Sequence, residues 1–249
     1  LPECKMSSRR DLVHPASTEA TTVPNNPYLL MNFSVLKRER RSPSFIRITF
    51  TNQDGLSFTS WGPDQRVKLY LPEPGASPST LPLTDWNAAW QKLDPQSRPA
   101  RRSYTIRQVR PDRGELDIDF VDHGVEGPAS AWAFQAKPGD RLQIAIPNGA
   151  FTGKPIGFEW RPPQGVSRLL LMGDETSLPA ISNILTHIPE TVSSIDCFVE
   201  VPQAGDDAAA GELACRITWL PRYDDAPGTK LKKALGYSQM PELSRLKRL

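Results

Sequence analysis

Residues 101–140 constrain the fold of this chain more than any other stretch, because they join two alternating strands to a helix through a glycine-containing loop. Across residues 102–107, Tyr104 and Ile106 fall on one face and Ser103, Thr105 and Arg107 on the other, the period of a half-buried strand. Arg113-Gly114 punctuates the pattern, and residues 115–121 alternate again with Leu116, Ile118 and Phe120 on one side. Gly124, Gly127 and Pro128 then open onto Ala129-Ser130-Ala131-Trp132-Ala133, a short helix with small residues in its first turn. Such a helix start leaves backbone N–H groups without in-helix partners and carries partial positive charge, which suits a phosphate.

One segment thus offers an aromatic face (Tyr104), a neighbouring hydroxyl (Thr105), two cations (Arg102, Arg107) and a phosphate cradle over residues 127–131. A flavin dinucleotide requires that set: a platform for its rings, a polar group beside them, and charge opposite its pyrophosphate. The same residues admit a plainer reading, with Tyr104 and Ile106 as barrel core, both arginines solvated and Gly-Pro an ordinary turn.

Four ordered blocks carry a resemblance: Arg102-Ser103-Tyr104-Thr105-Ile106-Arg107; Asp119-Phe120-Val121-Asp122-His123-Gly124 followed by Gly127-Pro128-Ala129-Ser130-Ala131-Trp132-Ala133; Pro138-Gly139-Asp140; and Gly173-Asp174-Glu175-Thr176-Ser177-Leu178-Pro179-Ala180. With Gly62-Pro63-Asp64-Gln65 and Val67-Lys68-Leu69 upstream, the match runs over roughly residues 30–222. In this order the blocks resemble the siderophore-interacting proteins, FAD-dependent ferric-siderophore reductases of the ferredoxin-reductase-like superfamily. The resemblance implies an antiparallel Greek-key FAD-binding β-barrel followed by a parallel-sheet, NAD(P)-binding-like α/β domain. It also implies cofactor contacts. Arg102, Ser103, Tyr104, Thr105 and Arg107 would come from the first block, and Asp119, Val121 and His123 from the second. Gly127, Ala129, Ser130 and Ala131 would hold the pyrophosphate, with Asp174 and Thr176 beside the flavin.

Composition narrows the alternatives. A chain of 249 residues with 38% hydrophobic and 23% charged residues describes a soluble globular protein, and 25 prolines against 16 glycines favour loops and β-structure over a helical bundle. A net charge of +2 is too balanced for a nucleic-acid partner. Cys4, Cys197 and Cys215 lack metal-ligand spacing and cannot supply a four-cysteine iron–sulfur cluster, so no metal site is expected and electrons must come from a soluble donor. No apolar run approaches the ~20 residues a membrane span needs, and no hydrophobic signal core opens the chain. A cytoplasmic, monomeric protein with reduced thiols is the expectation.

In chain order, residues 1–27 are polar and aperiodic, a flexible arm. Residues 28–160 form the barrel domain, with strands at 33–36, 44–51, 65–71, 102–107, 115–121 and 142–146, and a long excursion over 72–99 that carries Trp86 and Trp90 in a short helix. Residues 161–249 form the α/β domain. The apolar run of residues 167–172 predicts a strand buried on both faces, followed by a helix over 178–187 with Ile181, Ile184, Leu185 and Ile188 on one stripe. Further strands are expected at 194–201 and 216–220, and a helix over 229–236 ending at Gly236. The first βα turn lacks the Gly-x-Gly-x-x-Gly fingerprint and presents Asp174 and Glu175, which would repel a pyrophosphate. Asp174 alternatively caps the helix. Against the family pattern the last strand is absent, which would leave residues 169–171 on an open edge.

The resemblance implies reduction of a ferric siderophore, with FAD relaying electrons from NAD(P)H or a ferredoxin. No side chain stands out as acid, base or nucleophile, so no catalytic residue is assigned, in keeping with outer-sphere electron transfer. Because each ~59 mV of one-electron driving force is worth tenfold in equilibrium, a hydrogen bond near the flavin N5 matters, and Thr105 is the candidate. Lys68 and Arg222 are the candidate contacts to an anionic ferric complex, with Lys230, Lys232 and Lys233 as additional charge. Two other readings keep the same cofactor motifs: a flavin reductase serving another acceptor, and a non-catalytic flavin- or siderophore-binding module.

Overall fold

The computed structural model describes residues 25–72, 80–122, 124 and 127–236. Seven strands, β1 (Tyr28–Ser42), β2 (Phe45–Asn52), β3 (Arg66–Leu71), β4 (Ala100–Thr105), β5 (Gln108–Arg110), β6 (Glu115–Val121) and β7 (Arg141–Pro147), pair in the order β4-β3-β7-β1-β2-β6-β5. Every pairing is antiparallel. Alternation sorts each strand into an inward and an outward face. Met31, Phe33 and Val35 point in from β1, Ile46, Ile48 and Phe50 from β2, Val67, Leu69 and Leu71 from β3, and Leu116, Ile118 and Phe120 from β6. β1 is much longer than residues 33–36, and register shifts at Val35/Lys37 and Arg40/Ser42 let it bend with the curling sheet.

The two edges of this sheet are β4 and β5, and they are consecutive in the chain. Ile106 and Arg107 cross between them: the Ile106 N–H donates to Gln65 O (2.9 Å) and the Arg107 N–H to Asp117 O (2.9 Å). Tyr104 packs its ring on Phe120 at 4.6 Å across the same seam. One end of the curled sheet is plugged by helix α2 (Pro128–Gln135), whose Trp132 stacks on Phe50 at 6.1 Å. On the outer face of β1, β7 and β3, Trp86 and Trp90 of helix α1 (Trp86–Lys92) pack on Leu30, Tyr70, Leu81 and Ala145. The expected short helix in the excursion is therefore present.

The second sheet is parallel and three-stranded, ordered β10-β9-β8, from β8 (Arg168–Gly173), β9 (Ser194–Val201) and β10 (Thr218–Pro221). Helix α3 (Leu178–Leu185) buries Leu178, Ile181, Ile184 and Leu185 against it, and helix α4 (Thr229–Ala234) follows β10. A 3-10 stretch over Asp206–Arg216, not foreseen from sequence, buries Ala209 and Ala210 in the same cluster. The expectation for the apolar run needs correcting. Within β8 Leu171 is buried in the cluster with α3, but Leu170 points to the opposite face of the sheet and is 46% exposed. Residues 1–24 and 237–249, where the arm and the chain end were placed, lie outside the described residues.

The barrel hairpin reaches into the second unit. Phe45, at the start of β2, is fully buried among Leu178, Ile181 and Val201 instead of in the barrel core. Asp206 is fully buried beside it, and its carboxylate accepts from Ser42 Oγ and the Ser44 N–H, both at 2.8 Å.

Candidate functional site

A cleft of about 410 Å³ opens where the barrel seam, the start of α2 and the start of α3 meet. That volume lies within the ~300–1,000 Å³ typical of small-molecule sites. Arg102, Ser103, Tyr104 and Thr105 line it from β4, Asp119 and Val121 from β6, and Gly127, Ala129 and Ser130 from the α2 start. Thr176 and Pro179 close the far side. Arg66, on β3, also reaches the cleft and was not anticipated. It falls on the same exposed face of β3 as Lys68, so strand alternation held the signal.

Tyr104 is only partly buried: one side of its ring rests on Phe120 and the rest borders the cleft. Burial raises its phenol above the ordinary value, with Arg102 opposing, so it stays neutral at physiological pH. Gly127 is the N-cap of α2 and makes no side-chain cap. A Cβ there would meet no protein atom, so the missing side chain leaves open space at the cleft. Ser130 Oγ donates to Gly124 O at 2.7 Å, which ties the loop to the helix start. The lining carboxylate, Asp119, is gripped bidentately by Arg47 at 2.6 and 2.8 Å, so its charge is answered inside the protein.

Thr176 reaches the cleft through a local cap: Asp174 Oδ1 accepts from the Thr176 N–H (3.0 Å) and Oγ1 (2.6 Å). Gly173 permits this tight turn, since a Cβ on it would collide with Ser177 Oγ. Asp174 itself does not line the cleft and fills the capping role.

Several expected contacts are placed elsewhere. The Ala131 N–H is spent on Gly127 O at 2.9 Å, the first helical bond of α2, so it is not presented to a ligand. Arg107 turns toward α3, where Nη1 donates to Asn183 Oδ1 at 3.0 Å and Nε lies 3.8 Å from Asp119. Burial there lowers its pKa from the ordinary value. Asn183 in turn donates to Pro63 O and Ile106 O, locking α3 onto the barrel seam. Arg222 is buried in a bidentate pair with Glu175 at 2.5 and 2.6 Å, and that carboxylate holds its guanidinium above the ordinary pKa. A buried carboxylate needs such a partner, and Arg222 is thereby taken from any substrate. Lys230 pairs with Asp225 at 2.7 Å. His123 lies outside the described residues.

Lys68 does not line this cleft. It borders a second cavity of about 530 Å³ under α1, and Arg66 and Ser103 belong to both. Lys68 Nζ donates to Ser103 Oγ at 3.2 Å.

The cleft fits a flavin dinucleotide. It combines an aromatic platform, the hydroxyls of Ser103, Thr105, Ser130 and Thr176, two arginines and a helix start, and the single carboxylate is already neutralised. Among the described residues no cluster of His, Cys, Asp or Glu suits a metal ion, and no helix is long and apolar enough to cross a membrane.

Comparison with known proteins points the same way. Residues 34–151 match the siderophore-interacting FAD-binding domain, and residues 166–246 the siderophore-interacting protein model. The chain is 32% identical over 213 residues to the NADPH-dependent ferric-chelate reductase of Escherichia coli K12, covering 83% of this chain and 77% of that protein. It is 28% identical over 211 residues to the ferric vibriobactin reductase ViuB of Vibrio cholerae, covering 83% and 72%. A solved siderophore utilization protein from T. fusca superposes with a TM-score of 0.65 at 30% identity, covering 89% of this chain and 80% of that one.

Proposed function

Because the chain belongs to the siderophore-interacting protein family, a group of FAD-binding oxidoreductases, we propose that it reduces Fe(III) in a siderophore to Fe(II), with electrons from NAD(P)H. The carrying observation is the convergence of Tyr104, Thr105, Arg102 and the first turn of α2 on one cleft. When bound, FAD would supply the chemistry of accepting one hydride, two electrons, from NAD(P)H and giving them up one at a time to two Fe(III) centres, and Fe(II) is held far less tightly than Fe(III) by hard oxygen ligands. Tyr104 is the platform for the ring system, and the Thr105 hydroxyl is the hydrogen-bonding group beside it. Arg102, exposed and without a carboxylate partner among the described residues, faces the pyrophosphate together with the α2 start at Gly127, Ala129 and Ser130. Thr176 and Pro179 bring the α/β unit to the other wall. No side chain need move a proton to iron, so no residue is given an acid–base role. The reaction is assigned to the cytoplasm, and the barrel (28–160) and α/β unit (161–249) act as two domains around the cleft.

The test is an anaerobic titration of FAD-reconstituted protein. NADPH or NADH should bleach the yellow flavin bands. Ferric siderophore added with a chromogenic ferrous chelator should then restore the colour as the ferrous complex accumulates. Protein that stays colourless after reconstitution, or that bleaches and releases no iron, overturns the reading. An R102A variant should bind FAD about tenfold more weakly, the order expected for one charge-assisted contact.

A further inference from the structure

We infer that Asn183 of α3, which does not itself line the cofactor cleft, is the positioning residue that sets the gap between its two walls. Through Ile106 it fixes Thr105, through Arg107 it braces Asp119, and on its own helix it holds Pro179. This rests on the reductase reading and deepens it, by naming the residue that sets the barrel wall against the α/β wall for hydride entry.

The Asn183 side-chain amide is engaged wholly by the barrel unit. Its Nδ2 donates to Ile106 O at 2.7 Å and to Pro63 O at 2.9 Å, and its Oδ1 accepts from Arg107 Nη1 at 3.0 Å. Two carbonyls on one side and a guanidinium on the other admit one orientation of the amide, because its nitrogen only donates and its oxygen only accepts. The carbonyl held at Ile106 follows Thr105 directly, and the Ile106 N–H is tied to Gln65 O at 2.9 Å, so the backbone next to Thr105 is clamped from both sides. Arg107 carries the link further, with its Nε 3.8 Å from the Asp119 carboxylate. On α3, Pro179 precedes Asn183 by about one helical turn on the same face, and Pro179 lines the cleft.

Pro63 belongs to the Gly62-Pro63-Asp64-Gln65 turn, a sequence block that supplies no residue to the cleft. The Asp64 carboxylate accepts from the Glu159 N–H (2.8 Å) and the Trp160 N–H (3.1 Å). Gln65, fully buried, donates from Nε2 to Ile156 O and Gly157 O, both at 3.1 Å. The turn is thus held by the linker, and Asn183 joins α3 to a fixed frame. A second contact, Asp206 with Ser42 and Ser44, also joins the two units, but none of its residues lines the cleft. The two contacts therefore separate stitching from spacing. Hydride transfer requires reacting atoms about 3–3.5 Å apart, and a misplacement of ~1 Å costs on the order of 100-fold. Of the two contacts, only the one at Asn183 reaches the residues that set that distance.

The test compares N183A and N183D with D206A. N183D keeps the side-chain size and loses both donors, so it should behave as N183A. In FAD-reconstituted protein, both should change the visible circular dichroism of the bound flavin. Anaerobic flavin reduction at saturating NADPH or NADH should slow about tenfold or more, while half-saturation by the nicotinamide holds. Electron delivery from dithionite-reduced protein to a ferric chelate should be unchanged. Hydrogen exchange of the FAD-free protein reads the same clamp without turnover: the Ile106 and Arg107 amides should exchange faster in N183A and N183D. D206A should unfold at lower urea, yet keep the wild-type flavin signal, reduction rate and exchange at these two amides. Unchanged dichroism in N183A, the same changes in D206A, or wild-type behaviour of N183D overturns the inference. Wild type that takes hydride and releases no iron, while N183A slows the hydride step, sinks the reductase reading and leaves Asn183 standing. Wild type that releases iron while N183A matches it in every readout sinks the Asn183 inference alone. If wild type takes hydride from neither nicotinamide, the donor reading fails, and the dichroism and exchange comparisons still decide the role of Asn183.

Discussion

In the seven-stranded sheet, inward residues of β1, β2, β3, β6 and β7 share one buried cluster, and the two edges are joined by consecutive residues, Ile106 and Arg107. In the three-stranded sheet, Leu170 on edge strand β8 stays 46% exposed, and the core borrows Phe45 from the barrel hairpin. The first unit satisfies its own apolar and backbone demands, whereas the described part of the second leans on the first. That difference bears on function, because the cleft has walls from both units: Thr176 and Pro179 are held where they are by the contacts that stitch the second unit to the barrel.

The contrast can be broken most severely at Glu175. Replacing it with Ala leaves Arg222 buried and unpaired, and about 3–5 kcal/mol of stability should be lost. Urea unfolding followed by Trp fluorescence should show the loss as a lower unfolding midpoint. A loss under ~1 kcal/mol would mean that the pair is not a prop of the second unit. Next comes the seam. In D206A, Ser42 Oγ and the Ser44 N–H lose their buried acceptor, which should cost about 2–3 kcal/mol and split unfolding into two phases. One unchanged cooperative transition would show that the units are coupled elsewhere, with Asn183 the next candidate.

The smallest effect concerns the barrel's outer face. Burial alone would raise the Asp117 pKa, but bonds from Arg110 (2.7 and 2.8 Å) and Thr49 (2.8 Å) hold it below its ordinary value of 3.8. The folded state therefore binds fewer protons than the unfolded chain near that pH. The Asp117 contribution is present above pH 3.8 and is lost as pH falls through the lowered folded value. In D117N, stability plotted against pH should fall less steeply through this acid range. An unchanged slope would place the acid sensitivity in the second unit and sharpen the contrast from the other side.

Legibility in the sequence followed the same division. The strand at residues 115–121 is bounded by its alternation, although its polar positions Asp117 and Asp119 are buried under Arg110 and Arg47. Tyr104, Thr105 and Ala129, singled out from the sequence, line one cleft once β4 and the start of α2 pack together. The reading failed where a partner decides. Arg107 and Arg222 have the composition of ligand contacts, but Asn183 and Glu175, 76 and 47 residues away, claim them. The run at residues 169–171 is apolar enough for full burial, but α3 packs on the face that carries Leu171, and Leu170 on the other face stays exposed.

The order of alternating strands, glycine loop and short helix was enough to specify a barrel with a short helix starting at a glycine, because those properties depend on periodicity and on backbone groups that neighbours in the chain supply. Which arginines remain available to a ligand was decided by tertiary structure alone. A guanidinium is spent or free according to which carboxylates and amides the fold brings within reach, and that distance is set by packing between segments far apart in the chain.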